Sequence, residues 1–377
     1  MPAARSWLSP AILTLKSDSY DMKKLSIQNI LVPIDFSKMS IKAIETAKDL
    51  AQPFGATIHL VHVHHWQYSA DFVGPVISSG FLPQSFEEHR NKQLAEELKT
   101  IASKAGLSPR DQTHLRTGAS AFHEISTLAQ EIPADLIVMP THGYTGLKHV
   151  FLGSTAERVV QHAPCPVFVV RQLGKRPAEK RFGYKKILVP VDFSNCSQKA
   201  LQYAIGFANQ LGAEIVLLNA TYLGYIYSVE GTALYDIPGL QKAAREKAER
   251  QMQKLVRAVR FGGVKFETVF TEASPVLDIC DFAKHHDLDL IITSTHGLTG
   301  FEHVLIGSIA EKVVRHAPCS VLVVPSHPQI RAANLAKTGG RKRRALGSEQ
   351  QPRKSPRDKA LTKRDRKPAV ARFRNGG

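Results

Sequence analysis

Short β-branched runs alternate along this chain with segments whose apolar residues recur at helical spacing. In the first half, Ile30 to Ile34, Thr57 to Val63, Thr113 to Arg116, Asp135 to Pro140 and Val167 to Arg171 read as strands. Between them, Ile41, Ile44, Ala47, Leu50 and Ala51 share one face of a helix, Ser85 to Ala105 reads as a long charged helix, Ala121 to Gln130 as a third, and a fourth follows Gly153. The strands are almost continuously apolar rather than alternating. Such strands, separated by crossover helices, imply a parallel sheet covered on both faces, with right-handed crossovers.

The pattern then repeats, with strands near Lys186 to Val191, Glu214 to Asn219, Lys265 to Phe270, Leu288 to Ser294 and Val321 to Val324. Ile30-Leu-Val-Pro-Ile-Asp-Phe-Ser37 returns as Ile187-Leu-Val-Pro-Val-Asp-Phe-Ser194. Thr141-His-Gly-Tyr-Thr-Gly then returns as Thr295-His-Gly-Leu-Thr-Gly, and His162-Ala-Pro-Cys-Pro-Val167 as His316-Ala-Pro-Cys-Ser-Val321. The offset is 157 residues at the first pair (192 − 35) and 154 farther on (297 − 143). Each repeat is therefore a whole domain, too long for a solenoid unit. The expected architecture is α/β: two tandem, doubly wound, five-stranded parallel-sheet domains at 28–172 and 185–326. Residues 173–184 read as a Gly-, Pro- and charge-rich linker, and 1–27 as a flexible leader or a mis-assigned start with Met22 as the alternative.

Composition adds one correction to this picture. The chain of 377 residues carries a formal net charge of +17. Residues 331 to 377 hold 16 Lys and Arg against Glu349, Asp358 and Asp365, so this stretch supplies +13 and the remainder only +4. Residues 327–377 thus read as a disordered basic tail, and the folded part is nearly neutral. No uninterrupted apolar run is long enough for a membrane span. Four cysteines without C-x-x-C spacing suggest neither a disulfide framework nor a zinc knuckle, and fit a reducing cytoplasm.

Candidate chemistry gathers at the carboxyl ends of the strands, where open α/β sheets bind ligands. Asp35 and Asp192 follow the first strand of each half, either as helix caps or as ligand contacts. Gly143 with Gly153-Ser154, and Gly297 with Gly307-Ser308, follow the fourth strands. Glycine admits close backbone approach, and a Gly-Ser helix entry offers N–H groups, a hydroxyl and the positive dipole end to an anion such as phosphate. The alternative is that the glycines only shape a loop and Ser154 only caps its helix. No P-loop, dinucleotide fingerprint or nucleophile elbow occurs, so fast catalysis is not expected. His62, His64 and His65 have strand spacing, but no carboxylate or cysteine cluster joins them, and a metal is not expected. His142 and His296 read as loop-orienting groups, and Cys165 and Cys319 as small buried residues.

Taken together, the ILVPxDFS start, the THGxTG loop, the Gly-Ser entry and the HAPC ending resemble the universal stress protein family in tandem, over about residues 28 to 326. The resemblance implies a fold like the adenine nucleotide alpha hydrolases, with strand order 3-2-1-4-5 and, in part of the family, ATP at the carboxyl end of the sheet, with Mg2+ left open. It implies Asp35 with the backbone of Val63, and Asp192 with that of Ala220, on the adenine side. The family's pattern has a glycine where this chain has Pro140 and Ser294, and a histidine and valine where it has Asn219 and Ala220. Proline removes an N–H and fixes φ, whereas serine obstructs only if φ must be positive. The apolar last strands are expected to pair the two halves with each other, a further homodimer being left open. Two readings follow. One is a cytoplasmic stress-response protein that binds ATP or a related adenine nucleotide and turns it over slowly at most. The other is a nucleotide-independent scaffold whose basic tail tethers it to nucleic acid or an anionic partner.

Overall fold

The structure, a computed structural model, describes residues 25–64, 84–141, 152–171, 183–221, 237–297 and 306–326. Its first half runs β1 (Asn29–Pro33), α1 (Lys38–Phe54), β2 (Thr57–His64), α2 (Gln84–Lys104), β3 (Gln112–Thr117), α3 (Ala121–Glu131), β4 (Leu136–Pro140), α4 (Ser154–His162) and β5 (Val167–Val170). The second repeats the order as β6 (Lys186–Pro190), α5 (Asn195–Leu211), β7 (Glu214–Ala220), α6 (Ile237–Ala258), β8 (Phe266–Thr271), α7 (Pro275–His285), β9 (Leu290–Ser294), α8 (Ser308–His316) and β10 (Ser320–Val324). Strand order is β3-β2-β1-β4-β5-β10-β9-β6-β7-β8 in one ten-stranded sheet. Each half shows the expected order 3-2-1-4-5, parallel throughout.

The halves join where β5 meets β10 antiparallel, Val169 opposite Val321, Phe168 opposite Leu322 and Val167 opposite Val323. Both strands are buried along their whole length, so neither is left as a sticky edge. Since this pairing reverses direction, the carboxyl ends of the strands in the two halves point toward opposite ends of the sheet. Two apolar cores cover the sheet, one on each face, and each contains residues of both halves. Gln210 donates to the Pro53 carbonyl across the join, and the Phe54 and Phe207 rings lie 5.5 Å apart. The Arg171 guanidinium, beyond β5, donates to the Val314 and Arg315 carbonyls at the end of α8, where a cation complements the helix dipole.

Local chemistry explains the element ends. Ser37 and Ser194 cap α1 and α5, their hydroxyls accepting from the N–H of Ser40 at 3.2 Å and Ser197 at 3.1 Å. Gly55 and Gly212 end the same helices at φ 68° and 65°, the left-handed region that closes a helix most readily with glycine. Before β4 and β9, Asp135 and Asp289 act as staples at the amino end of the sheet. Asp135 accepts from the N–H of Gln28 and Asn29 at 2.7 and 3.0 Å, and Asp289 from those of Lys185 and Lys186 at 2.8 and 2.9 Å.

Residues beside two of the expected boundaries take part in packing. Leu25 and Ile27, assigned above to the leader, pack into the core, Ile27 being fully buried and Leu25 lying against Gly206 of α5. Tyr184, assigned to the linker, packs edge-on against Phe168. Residues 1–24 and 327–377 lie outside the described residues. Among the described residues no helix is long and apolar enough to cross a membrane.

Replacing Asp289 with Ala leaves two backbone donors without their acceptor in a nearly closed site. The expected loss is about 1–3 kcal/mol of stability, read as a lower urea midpoint. An unchanged midpoint would show that the staple contributes nothing.

Candidate functional site

In each half the strand order reverses direction between two neighbours, β1 and β4 in the first and β6 and β9 in the second. The helices after these strands leave to opposite sides, which opens a crevice at their carboxyl ends. Asp35 and Asp192 stand on one wall of it. Neither is the helix cap that sequence spacing allowed, because Ser37 and Ser194 hold that position. Instead Asp35 Oδ1 accepts from the Ser37 N–H at 3.1 Å, and Asp192 Oδ1 from the Ser194 N–H at 3.0 Å and hydroxyl at 2.6 Å. The intervening Phe36 and Phe193 sit at φ 63° and 65°. A bulky residue there is strained, and its recurrence in both halves marks a turn held by its surroundings.

The end of the second strand holds that turn. The Ile34 N–H donates to the Val61 carbonyl at 2.7 Å, and the Val191 N–H to the Leu218 carbonyl at 2.8 Å. His62 Nδ1 donates to the Ile34 carbonyl at 2.8 Å, and Asn219 Nδ2 to the Val191 carbonyl at 2.7 Å. Asparagine in place of histidine therefore keeps the bond, which residue type alone did not disclose. The Phe36 ring covers His62 with centroids 4.2 Å apart. Burial lowers the proton affinity of this imidazole, against the raising effect of the Ile34 carbonyl, so the neutral ring is favoured. Val63 and Ala220 follow, half-buried at the carboxyl ends of β2 and β7.

The opposite wall is best described in the second half. A Cβ built on Gly297 would lie 2.6 Å from Asp192 Oδ2, so the carboxylate occupies the space a side chain would take. The Gly307 N–H donates to the Thr295 carbonyl at 2.7 Å, which docks the entry of α8 against the end of β9. In the first half the Gly153 N–H donates likewise to the Thr141 carbonyl at 2.8 Å. Gly153 and Gly307 are the N-caps of α4 and α8, with Ser154 and Ser308 as first helical residues, and among the described residues no side-chain cap bond is made to either helix. Ser154 is thus the first helical residue and not the cap of its helix. Gly143 lies outside the described residues.

The positions of the absent family glycine also resolve. Ser294 closes β9 in extended backbone, so its site does not require a left-handed residue, and its hydroxyl donates to the His296 carbonyl at 2.6 Å. Pro140 closes β4 at the equivalent register, opposite Val170 as Ser294 is opposite Val324. His296 Nδ1 lies 2.9 Å from Thr295 Oγ1 and 3.0 Å from Ser326 Oγ, which fixes the ring at the root of the loop. Ser326, the last described residue, carried no signal in the sequence. Cys165 and Cys319 are buried, and burial pushes the Cys165 thiol far up, away from nucleophile character. Among the described residues no group of three or more metal-ligating side chains comes together.

Such a crevice offers an acceptor carboxylate on one wall and uncapped helix N–H groups on the other. The same doubly wound α/β architecture, with its switch-point crevice, is built twice over in this chain. A sequence model of the universal stress protein family matches residues 26–171 and 183–325, and the chain belongs to that family as a tandem pair of its domains. It is 26% identical over 304 residues to a universal stress protein of Mycolicibacterium smegmatis, covering 78% of this chain and 96% of the relative. A universal stress protein of Methanocaldococcus jannaschii is 32% identical over 141 residues, 37% of this chain and 82% of that one. A solved universal stress protein from Archaeoglobus fulgidus matches the fold with a TM-score of 0.55 at 18% identity, over 81% of this chain and 98% of that one.

Gly297→Ala forces its methyl group onto the Asp192 carboxylate and is expected to destabilise the protein by about 1–3 kcal/mol. Removing the opposing oxygens with Asp192→Ala in the same chain should restore most of the loss. Thermal melting of the two single variants and the double variant checks this, and additive losses would place the strain elsewhere.

Proposed function

We propose that this tandem universal stress protein binds ATP or a related adenine nucleotide in the crevice of at least one half, and acts by occupancy rather than by fast turnover. The observation that carries this reading is the second-half crevice, where Asp192 lies against Gly297 while Gly307 and Ser308 open an uncapped helix beside it. Asp192 would accept from ribose hydroxyls, and the N–H groups at the start of α8, with the Ser308 hydroxyl, would receive phosphate oxygens. The adenine would lie along the end of β7 at Ala220. In the first half Asp35, Val63, Gly143, Gly153 and Ser154 would play the corresponding parts. There Pro140 removes one N–H that Ser294 keeps, which favours the second half as the stronger site.

A bound Mg2+ would be held chiefly by the phosphates, as is usual for this ion. On this reading residues 28–172 and 185–326 are the two binding units, the protein works in the cytoplasm, and the basic residues 327–377 are an extension outside the crevices.

Titration calorimetry with ATP on the full chain tests the proposal. Asp192→Ala is expected to abolish the tighter binding event, and Asp35→Ala with Asp192→Ala to remove all binding while the circular dichroism spectrum stays unchanged. Unaltered affinity in the double variant would sink the reading. So would a wild-type chain, freed of co-purified ligand, that takes up no adenine nucleotide at all.

A further inference from the structure

The outer strands of the two halves differ at one pair of positions. Strand register makes His59 of β2 the counterpart of Val216 in β7, and His114 of β3 the counterpart of Val269 in β8. Both valines belong to the core on that face of the sheet. His59 is buried in the matching place and His114 half-buried. One half thus builds with two imidazoles what the other builds with two aliphatic side chains.

The imidazoles are bonded to each other. His59 Nδ1 lies 3.2 Å from His114 Nε2, the ring planes are 23° apart, and His59 Nε2 lies 3.2 Å from Asn29 Oδ1 of β1. As a hydrogen bond this contact needs one proton between the two facing nitrogens, whichever ring donates it. A second would set two N–H groups against each other and place neighbouring positive charges on a buried and a half-buried ring.

The charged groups facing the pair come from three places. Asp111 precedes β3, Arg116 lies farther along β3, and Glu131 ends α3. Burial lowers the proton affinity of both imidazoles, reinforced by His114 acting on His59 and by Arg116 acting on His114, while Asp111 and Glu131 oppose it. These carboxylates are already engaged: Asp111 accepts from the N–H of Ile58 and of Ser108, each at 2.7 Å, and Glu131 pairs with Arg116.

We propose that the His59–His114 pair makes the β2–β3 edge of the first half an acid-sensitive element, which loosens on protonation while the valine-built β7–β8 edge of the second half stays closed. The sign follows from linkage. Both groups bind protons less readily folded than unfolded, so the unfolded state takes up more protons as pH falls below the ordinary value of 6.5. The stability these groups permit is complete above that value and is lost as pH drops through and below it. Because β3 ends the sheet, it can open without disturbing the central strands. The device acts whatever occupies the crevices.

Amide hydrogen exchange on the full chain, corrected for intrinsic rates and mapped at about pH 7.5 and about pH 5, tests it across the histidine range. The loss of protection in acid is expected to be larger at β3 and the His59 stretch of β2 than at β7 and β8, although burial also disfavours the cations of His62 at the end of β2 and of His286 beside β8. His59→Val/His114→Val, which installs the second half's own solution, should remove this excess. An excess that persists in the variant, or none in the wild type, overturns the proposal. Should the variant fail to fold, proton NMR of the wild-type imidazoles decides. Titration of His59 below 6.5, in step with the loss of protection, supports the device, and titration of both rings at or above that value overturns it.

Discussion

The antiparallel contact between β5 and β10 is the interaction on which the rest of the molecule depends. A parallel sheet covered on both faces still ends in strands whose backbone groups face sideways, and here one such strand in each half is buried from end to end. Pairing them satisfies both at once and merges two five-stranded sheets into one. Each face then carries a single core shared by the halves, and Arg171 and Arg315 bridge at the surface of the join, Arg315 reaching Glu157 of α4 at 3.6 Å. The reversal of direction also places the two crevices at opposite ends of the sheet. What the fold duplicates in chemistry it therefore separates in space.

Within each half, the site is a consequence of how a tight turn is held. The chain leaves β1 or β6 through a strained phenylalanine, and the strain is sustained because the next serine caps a helix while the second strand grips the residue before the aspartate. His62 and Asn219 supply that grip with different side chains and the same bond. The aspartate is thereby fixed beside the end of the fourth strand, and Gly297 is glycine because Asp192 fills the space its side chain would need. Side-chain size at Gly297 and hydrogen bonding at Asn219 are thus parts of one arrangement.

Duplication also exposes where the halves have diverged. Pro140 and Ser294, His62 and Asn219, and the imidazole pair against Val216 and Val269 all lie on strands of equivalent register in the two halves. The central strands carry none of these exchanges between apolar and titratable side chains. They lie at strand ends and in the two strands farthest from the join of each half, where an imidazole pair fills the core space that two valines fill in the other half.

The amino-acid sequence determined the α/β class, the tandem repeat, the positions of most strands and the places of Asp35 and Asp192 after the first strand of each half. Near-continuous apolar runs and helical periodicity are local signals that survive without tertiary context. Matching motifs 157 and 154 residues apart made the duplication plain. Tertiary structure alone decided three things. It put the helix caps on Ser37 and Ser194 rather than on the aspartates, since a cap depends on φ and ψ of the turn and not on spacing. It drew Leu25 and Ile27 into the core and made Asp135 and Asp289 staples for backbone groups more than a hundred residues away, partnerships that no local pattern encodes. And it brought His59 to His114, residues 55 apart in the chain whose bond exists only because two parallel strands align them on one face.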